Sequence, residues 1–148
     1  MRMKTSIFVF ALVLASFEVL AAERPTDAAI KALVAENLRA SQAADLPAIL
    51  ETIHPESMSR TQMAGVLKAL SAYKFKYEAV SVRFIAMSDN YALIRVVQRT
   101  TRLAGPEFRD NEIDGIWALR QDGMAWKYWS QMALALRPLA ASAAKSGR

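Results

Sequence analysis

The sequence contains no cysteine and only one histidine, His54. The first absence excludes disulfides, thiolate metal sites and a cysteine nucleophile. It also removes the residue on which a lipoprotein anchor is built. The second leaves no histidine pair to hold a metal ion. No Gly-rich phosphate loop, metal-ligand cluster or serine–histidine–acid arrangement is evident, so no metal and no cofactor is expected. No internal repeat is visible, and 148 residues suffice for one domain with a single core.

Excess charge is scarcer than the total implies. The net charge of +5 points toward nucleic acid at first sight. Residues 1–21 carry Arg2, Lys4 and Glu18, net +1, and residues 137–148 carry Arg137, Lys145 and Arg148, net +3. Residues 22–136 keep only +1. A nearly neutral body has no electrostatic footprint for nucleic acid.

The N-terminal apolar run, Ile7 to Phe17, stops at Glu18. It is too short to cross ~30 Å of hydrocarbon as a helix. Arg2 and Lys4 precede it, and Val19-Leu20-Ala21 offers a small-residue cleavage site. Residues 1–21 therefore read as a signal peptide cut after Ala21. The expected mature chain is exported, periplasmic or secreted, with no stable membrane anchor after cleavage.

Beyond that point the apolar period changes once. Thr26 can cap a helix over about 27–41, with Ile30, Leu33, Val34, Asn37 and Leu38 on one stripe. Asp45 can cap a second, shorter helix whose first turn tolerates Pro47. Its apolar face is Leu46, Ile49, Leu50 and Ile53. His54-Pro55 ends it, because the residue before proline avoids the helical region. Met63, Val66, Leu67 and Leu70 predict a third helix over about 60–72. After Tyr73 the period becomes 2, with strands expected near 74–86, 91–102, 108–120 and 124–135. Sequential strands with short turns make an antiparallel meander. The fold class is α+β, with N-terminal helices packed on a curved four-stranded antiparallel sheet. The domain is expected over 22–136, and 137–148, small and polar, as a disordered tail.

Turn length sets register, and register sets facing. Asp122-Gly123 reads as a two-residue turn. It pairs Leu119 with Trp126, Trp117 with Tyr128, Gly115 with Ser130 and Ile113 with Met132. Charge chooses the preceding register. Arg95 opposite Asp114 and Arg99 opposite Asp110 give two ion pairs, each contributing about 0.2–1 kcal/mol. A three-residue turn, Ser88-Asp89-Asn90, sets Phe84 opposite Ile94 and Val82 opposite Val96. The inner face is then apolar except for Gln98, Asn111 and Ser130. Gln98 and Asn111 are expected as neighbours. An unsatisfied core amide costs ~1–3 kcal/mol, so these groups bond each other, reach water or line a pocket. On the outer face, Ile85, Leu93, Ile116 and Trp129 are expected in one row, with Tyr91 beside them. An exposed apolar row among charges marks an interface, most simply with a second copy in a homodimer.

Paired helices ending in His54-Pro55, a third helix, and a meander closing on Asp122-Gly123-Met124-Ala125-Trp126-Lys127-Tyr128 resemble the nuclear transport factor 2-like superfamily, which includes the SnoaL-like proteins. The resemblance covers about 26–135. It implies a cone, in which helices close the concave face of a bent sheet around a pocket, and dimers formed through the outer face. Its members include ketosteroid isomerase, dehydratases, polyketide cyclases and exported proteins of unassigned activity. One departure is that the stretch between His54 and the third helix leaves little room for extra strands, so the pocket is expected to be small or open.

The residues expected to line that pocket are Tyr73, Tyr77 and Gln98, with Asn111, Trp117, Tyr128 and Ser130. Trp117, Trp126 and Tyr128 fit an ordinary core as well as a ligand box. His54 is the weak catalytic candidate, since its pKa suits a general base, yet a His-Pro loop is equally a structural position. Asp110, Glu112 and Asp114 sit at strand spacing opposite arginines, which favours a solvated ion-pair ladder over a cation or acid–base site. The sequence thus points to an exported domain binding a small apolar or amphipathic ligand, or a partner, without catalysis. The alternative is an isomerase, dehydratase or cyclase using His54 or a tyrosine.

Overall fold

A computed structural model describes residues 23–140. The expected signal peptide and the end of the expected tail lie outside the described residues. Three helices come first: α1, Asp27–Gln42; α2, Leu46–Thr52; and α3, Met58–Ala69. Each opens on a side-chain cap that satisfies a backbone N–H the helix leaves free. Thr26 accepts from Ala29 N at 3.1 Å, Asp45 from Ala48 N at 3.1 Å, and Ser57 from Ser59 N at 3.2 Å. The Ser57 cap starts α3 earlier than the expected position near 60. Arg60 closes the other end of α2, with Nη1 donating to the carbonyls of Leu50 at 2.5 Å and Ile53 at 3.3 Å.

Four strands follow: β1, Lys74–Ser88; β2, Tyr91–Ala104; β3, Asn111–Asp122; and β4, Ala125–Pro138. They form one antiparallel sheet in the order β1-β2-β3-β4. β4 runs past the boundary expected at 136, with Arg137 opposite Glu112 and Pro138 opposite Asn111.

The expected registers need correction in three places. Phe84 does face Ile94, and Val82 faces Val96. The turn between them holds only Asp89 and Asn90, with Asp89 at φ 51°, and a bulge at Ile85 makes up the difference. Between β2 and β3, Arg95 faces Ile116 and Arg99 faces Glu112. This is a two-residue displacement, which preserves facing. Arg95 still reaches Asp114 along a diagonal, bidentate at 2.8 and 2.7 Å, while Arg99 bonds Glu112 at 2.7 Å. Asp110 instead accepts from the Arg102 backbone N–H at 2.8 Å. Between β3 and β4, the turn is centred on Gly123-Met124, with Asp122 opposite Ala125 and Gly123 at φ 60°. Leu119 therefore faces Tyr128, not Trp126.

β4 then carries an extra residue at Trp129 and another at Leu134. A bulge reverses which face each following residue joins. The first has a tertiary cause. The Trp129 carbonyl accepts from the Ser57 hydroxyl at 2.5 Å and from the Ser59 hydroxyl at 3.4 Å. The first turn of α3 thus draws this oxygen out of the ladder. His54 N donates to Tyr128 O at 2.9 Å, and Ile53 bridges Tyr128 in parallel. The α2–α3 junction is stitched to β4 along this seam.

The core lies between α1, α2 and the near half of the concave face. Ile30, Val34, Ile49, Ile53, Ile94, Val96 and Leu119 are fully buried, each stabilising by roughly 1.5–3 kcal/mol relative to exposure. Trp117 and Tyr128 complete the cluster, their rings meeting edge to face at 5.3 Å. α3 contributes no buried residue. From Ser130 to Leu134, β4 is exposed on both faces. Among the described residues, no helix is long and apolar enough to cross a membrane.

Candidate functional site

Beyond the first turn of α3, a cavity of about 250 Å³ remains between this helix, α1 and the sheet. The sheet contributes Phe75, Tyr77, Gln98, Trp117, Tyr128 and Gln131 to its wall. α1 contributes Asn37, Leu38, Ser41 and Gln42, and α3 contributes Met63, Val66, Leu67 and Leu70. Tyr73 follows α3 and stacks on Phe75 at 5.1 Å, while Phe108 meets Phe75 at 4.8 Å. Several polar groups of the wall are already used in the fold. Asn37 Nδ2 donates to Thr52 Oγ1 at 2.7 Å. Gln42 Oε1 accepts from the Tyr77 backbone N–H at 3.1 Å, which satisfies a donor on the open edge of β1.

Among the described residues, no aspartate, glutamate, lysine, arginine or histidine lines this cavity. Its titratable groups are tyrosines. Burial pushes the Tyr77 phenol above its ordinary value. Burial also raises Tyr128, with Ser59 beside it acting in the opposite direction. Both phenols therefore stay protonated near neutrality, and serve as neutral hydrogen-bonding groups rather than bases. The site can enclose an apolar or aromatic body and hydrogen-bond its edge. Among the described residues, no group of three or more histidine, cysteine, aspartate or glutamate side chains could hold a metal.

Of the residues expected from sequence, Tyr73, Tyr77, Gln98, Trp117 and Tyr128 line the cavity. Ser130 does not. The Trp129 bulge turns it opposite Ala118 on the outer face, and Gln131 takes its place inside. Asn111 shares the concave face but sits opposite Thr100, not Gln98. It is buried beyond the cavity wall, with Nδ2 donating to Arg109 O at 3.2 Å and Oδ1 unpartnered. The α1 residues were not singled out, although Asn37 within an otherwise apolar stripe was a visible signal.

His54 is 6% exposed and does not line the cavity. Its Nδ1 accepts from Glu56 N at 3.1 Å, which requires a lone pair there. Its ring meets Trp129 edge-on at 5.3 Å. These contacts make it a joint between the α2–α3 loop and β4.

The outer apolar residues do not form one row. Leu93 faces Ala118, and Ile116 faces Met132 on one side and Arg95 on the other. Trp129 lies at its bulge, edge-on to Tyr91 at 5.8 Å and beneath the Arg120 guanidinium at 4.7 Å. Ile85 and Leu93 remain exposed, joined by Met132. Asp114 is buried among arginines. The Arg95 hydrogen bonds hold its carboxyl below the usual range against the opposing cost of burial, with the charges of Arg95, Arg137 and Arg83 adding to the effect.

Three helices closing a curved four-stranded meander around an interior cavity define a nuclear transport factor 2-like domain. Solved structures of that fold superpose on it. The β subunit of the benzoate 1,2-dioxygenase from Burkholderia mallei matches with TM-score 0.61 and 11% identity, over 75% of this chain and 91% of that one. A ketosteroid isomerase-like protein from Erwinia carotovora matches with TM-score 0.52 and 19% identity, over 73% and 95%. A conserved protein from Planctomyces limnophilus matches with TM-score 0.54 and 14% identity, over 76% and 96%. At these identities the likeness is one of fold. No curated protein matches the chain. Residues 32–139 match the model for the C-terminal domain of anti-sigma-I factor RsgI9, and the chain belongs to that family.

Proposed function

We propose that this chain is an exported domain that binds a small apolar or amphipathic molecule in the cavity under α3, without catalysing its conversion. The observation that carries the reading is a cavity wall of aromatic, aliphatic, hydroxyl and amide groups with no ionised side chain among the described residues. Such a wall favours retention over proton transfer. Membership in the family of an anti-sigma-I factor's C-terminal domain adds a context. We read the domain as the part of a signalling system that meets its stimulus outside the cytoplasm. Native mass spectrometry of the chain recovered from its host's periplasm tests this. A bound small molecule on a chain beginning after Ala21 is expected. A chain found only in the cytoplasm, or one that is always empty, would overturn the reading.

A second reading concerns the outer face. Ile85, Leu93 and Met132 are 46%, 39% and 58% exposed there, an apolar band suited to a second copy. Sedimentation should show a dimer that Leu93→Lys dissociates. A wild-type monomer at high concentration would remove this reading.

A further inference from the structure

We propose that the cavity takes an uncharged, flat aromatic molecule of about two fused rings, whose arrival completes the burial of α3. This rests on the ligand-binding reading and narrows it to a chemical class.

The first support is the unfinished packing of α3. A short helix in a protein is held mainly by burial of its apolar face. Met63, Val66, Leu67 and Leu70 form such a face and line the cavity. Yet no residue of α3 is buried, and Val66 is 44% exposed. Among the described residues, the helix is hydrogen-bonded to the sheet only at its first turn, where Ser57 and Ser59 donate to the carbonyl at the Trp129 bulge. Met63 and Leu67 touch the edge of the core, and the rest of the stripe borders the cavity, where an occupant would supply further contacts.

The second support is the chemistry of the opposite wall. Phe75, Tyr77, Trp117 and Tyr128 present ring faces and edges, which favour a planar aromatic guest. A charged guest would leave water with no ion partner in the wall. Gln98 Nε2 donates to Thr100 Oγ1 at 3.5 Å, which leaves the Gln98 oxygen and the Gln131 amide facing an in-plane hydroxyl, carbonyl or amine. A volume of about 250 Å³ lies below the ~300–1,000 Å³ of most ligand pockets. It admits a guest of about two fused rings.

Calorimetric titration with naphthol and with naphthalenesulfonate tests the class, since the two share a ring system and differ in charge. Naphthol should bind, with the sulfonate about tenfold weaker or worse. Hydrogen exchange should slow in α3 on naphthol binding. Val66→Asp should weaken naphthol by about tenfold or more with an unchanged circular dichroism spectrum, because Val66 is not part of the core. Equal binding of both probes would overturn the inference and leave the ligand reading standing. So would naphthol binding without slowed exchange in α3, or with undiminished affinity in Val66→Asp. If neither probe binds while native mass spectrometry finds another bound molecule, the inference alone fails. If neither binds and the native chain is empty, both fail.

Discussion

Asp114 shows how a single carboxylate couples the sheet to pH. It is 3% exposed, and Arg95 grips both its oxygens. Its folded pKa lies below the unfolded value, so its contribution is fully present above about pH 4 and is lost as pH falls through the folded value. Asp114→Asn should flatten the dependence of the urea midpoint on acid pH in that window. Arg60 acts through backbone instead. It supplies a charged donor to two carbonyls at the end of α2. Arg60→Ala should cost roughly 1–3 kcal/mol, read as a lower urea midpoint with little change in slope. The Arg60 role has no signal in the sequence. Asp114 was read correctly as an ion-pair residue from its strand spacing. Its burial depends on three arginines converging from β1, β2 and β4, which no local pattern announces.

At the level of elements, the junctions decide the outcome. The helices were legible because Thr26 and Asp45 precede clean apolar stripes. The strands were legible from the change of period after Tyr73. The facing of β2 and β3 survived a two-residue register error, since parity is all that facing needs. β4 was misread past Tyr128 for a different reason. A bulge at a tryptophan carries no compositional signal, and its cause, Ser57, lies 72 residues away. That one extra residue moved Ser130 out of the site and Gln131 into it. Ser57→Ala removes the α3 cap and the shorter of the two hydroxyl bonds to Trp129 O. It should cost about 1–2 kcal/mol, with the largest rise in hydrogen exchange confined to α3. Gly105 governs the other approach to α3. It sits at φ 106°, and an added Cβ would lie 2.3 Å from Ala72 O. Gly105→Ala should therefore destabilise by more than ~1 kcal/mol, and more than Gly123→Ala, whose turn has open space around it.

For the whole molecule, an unfilled cavity links occupancy to stability. A guest that binds only the folded chain raises its stability by ~2.7 kcal/mol at a hundred times its dissociation constant. Naphthol at that excess should produce a clear upward shift in melting temperature, and a tenfold loss of affinity in Val66→Asp should cut it to about half. Charge plays a smaller part at this scale, because the excess sits mainly in the terminal segments and the body is nearly neutral.

The tie between α3 and the Trp129 carbonyl also orders events in time. Chain emerging from a ribosome can pair β1 with β2, and pack α1 against β1, long before Trp129 exists. α3 is complete by then but has no anchor, because its serines await an oxygen on the last strand. Closing so long a loop is slow relative to local pairing. A chain released short of Trp129 would lack both the oxygen that anchors α3 and the Gln131 side of the cavity wall, and so would have no complete binding site.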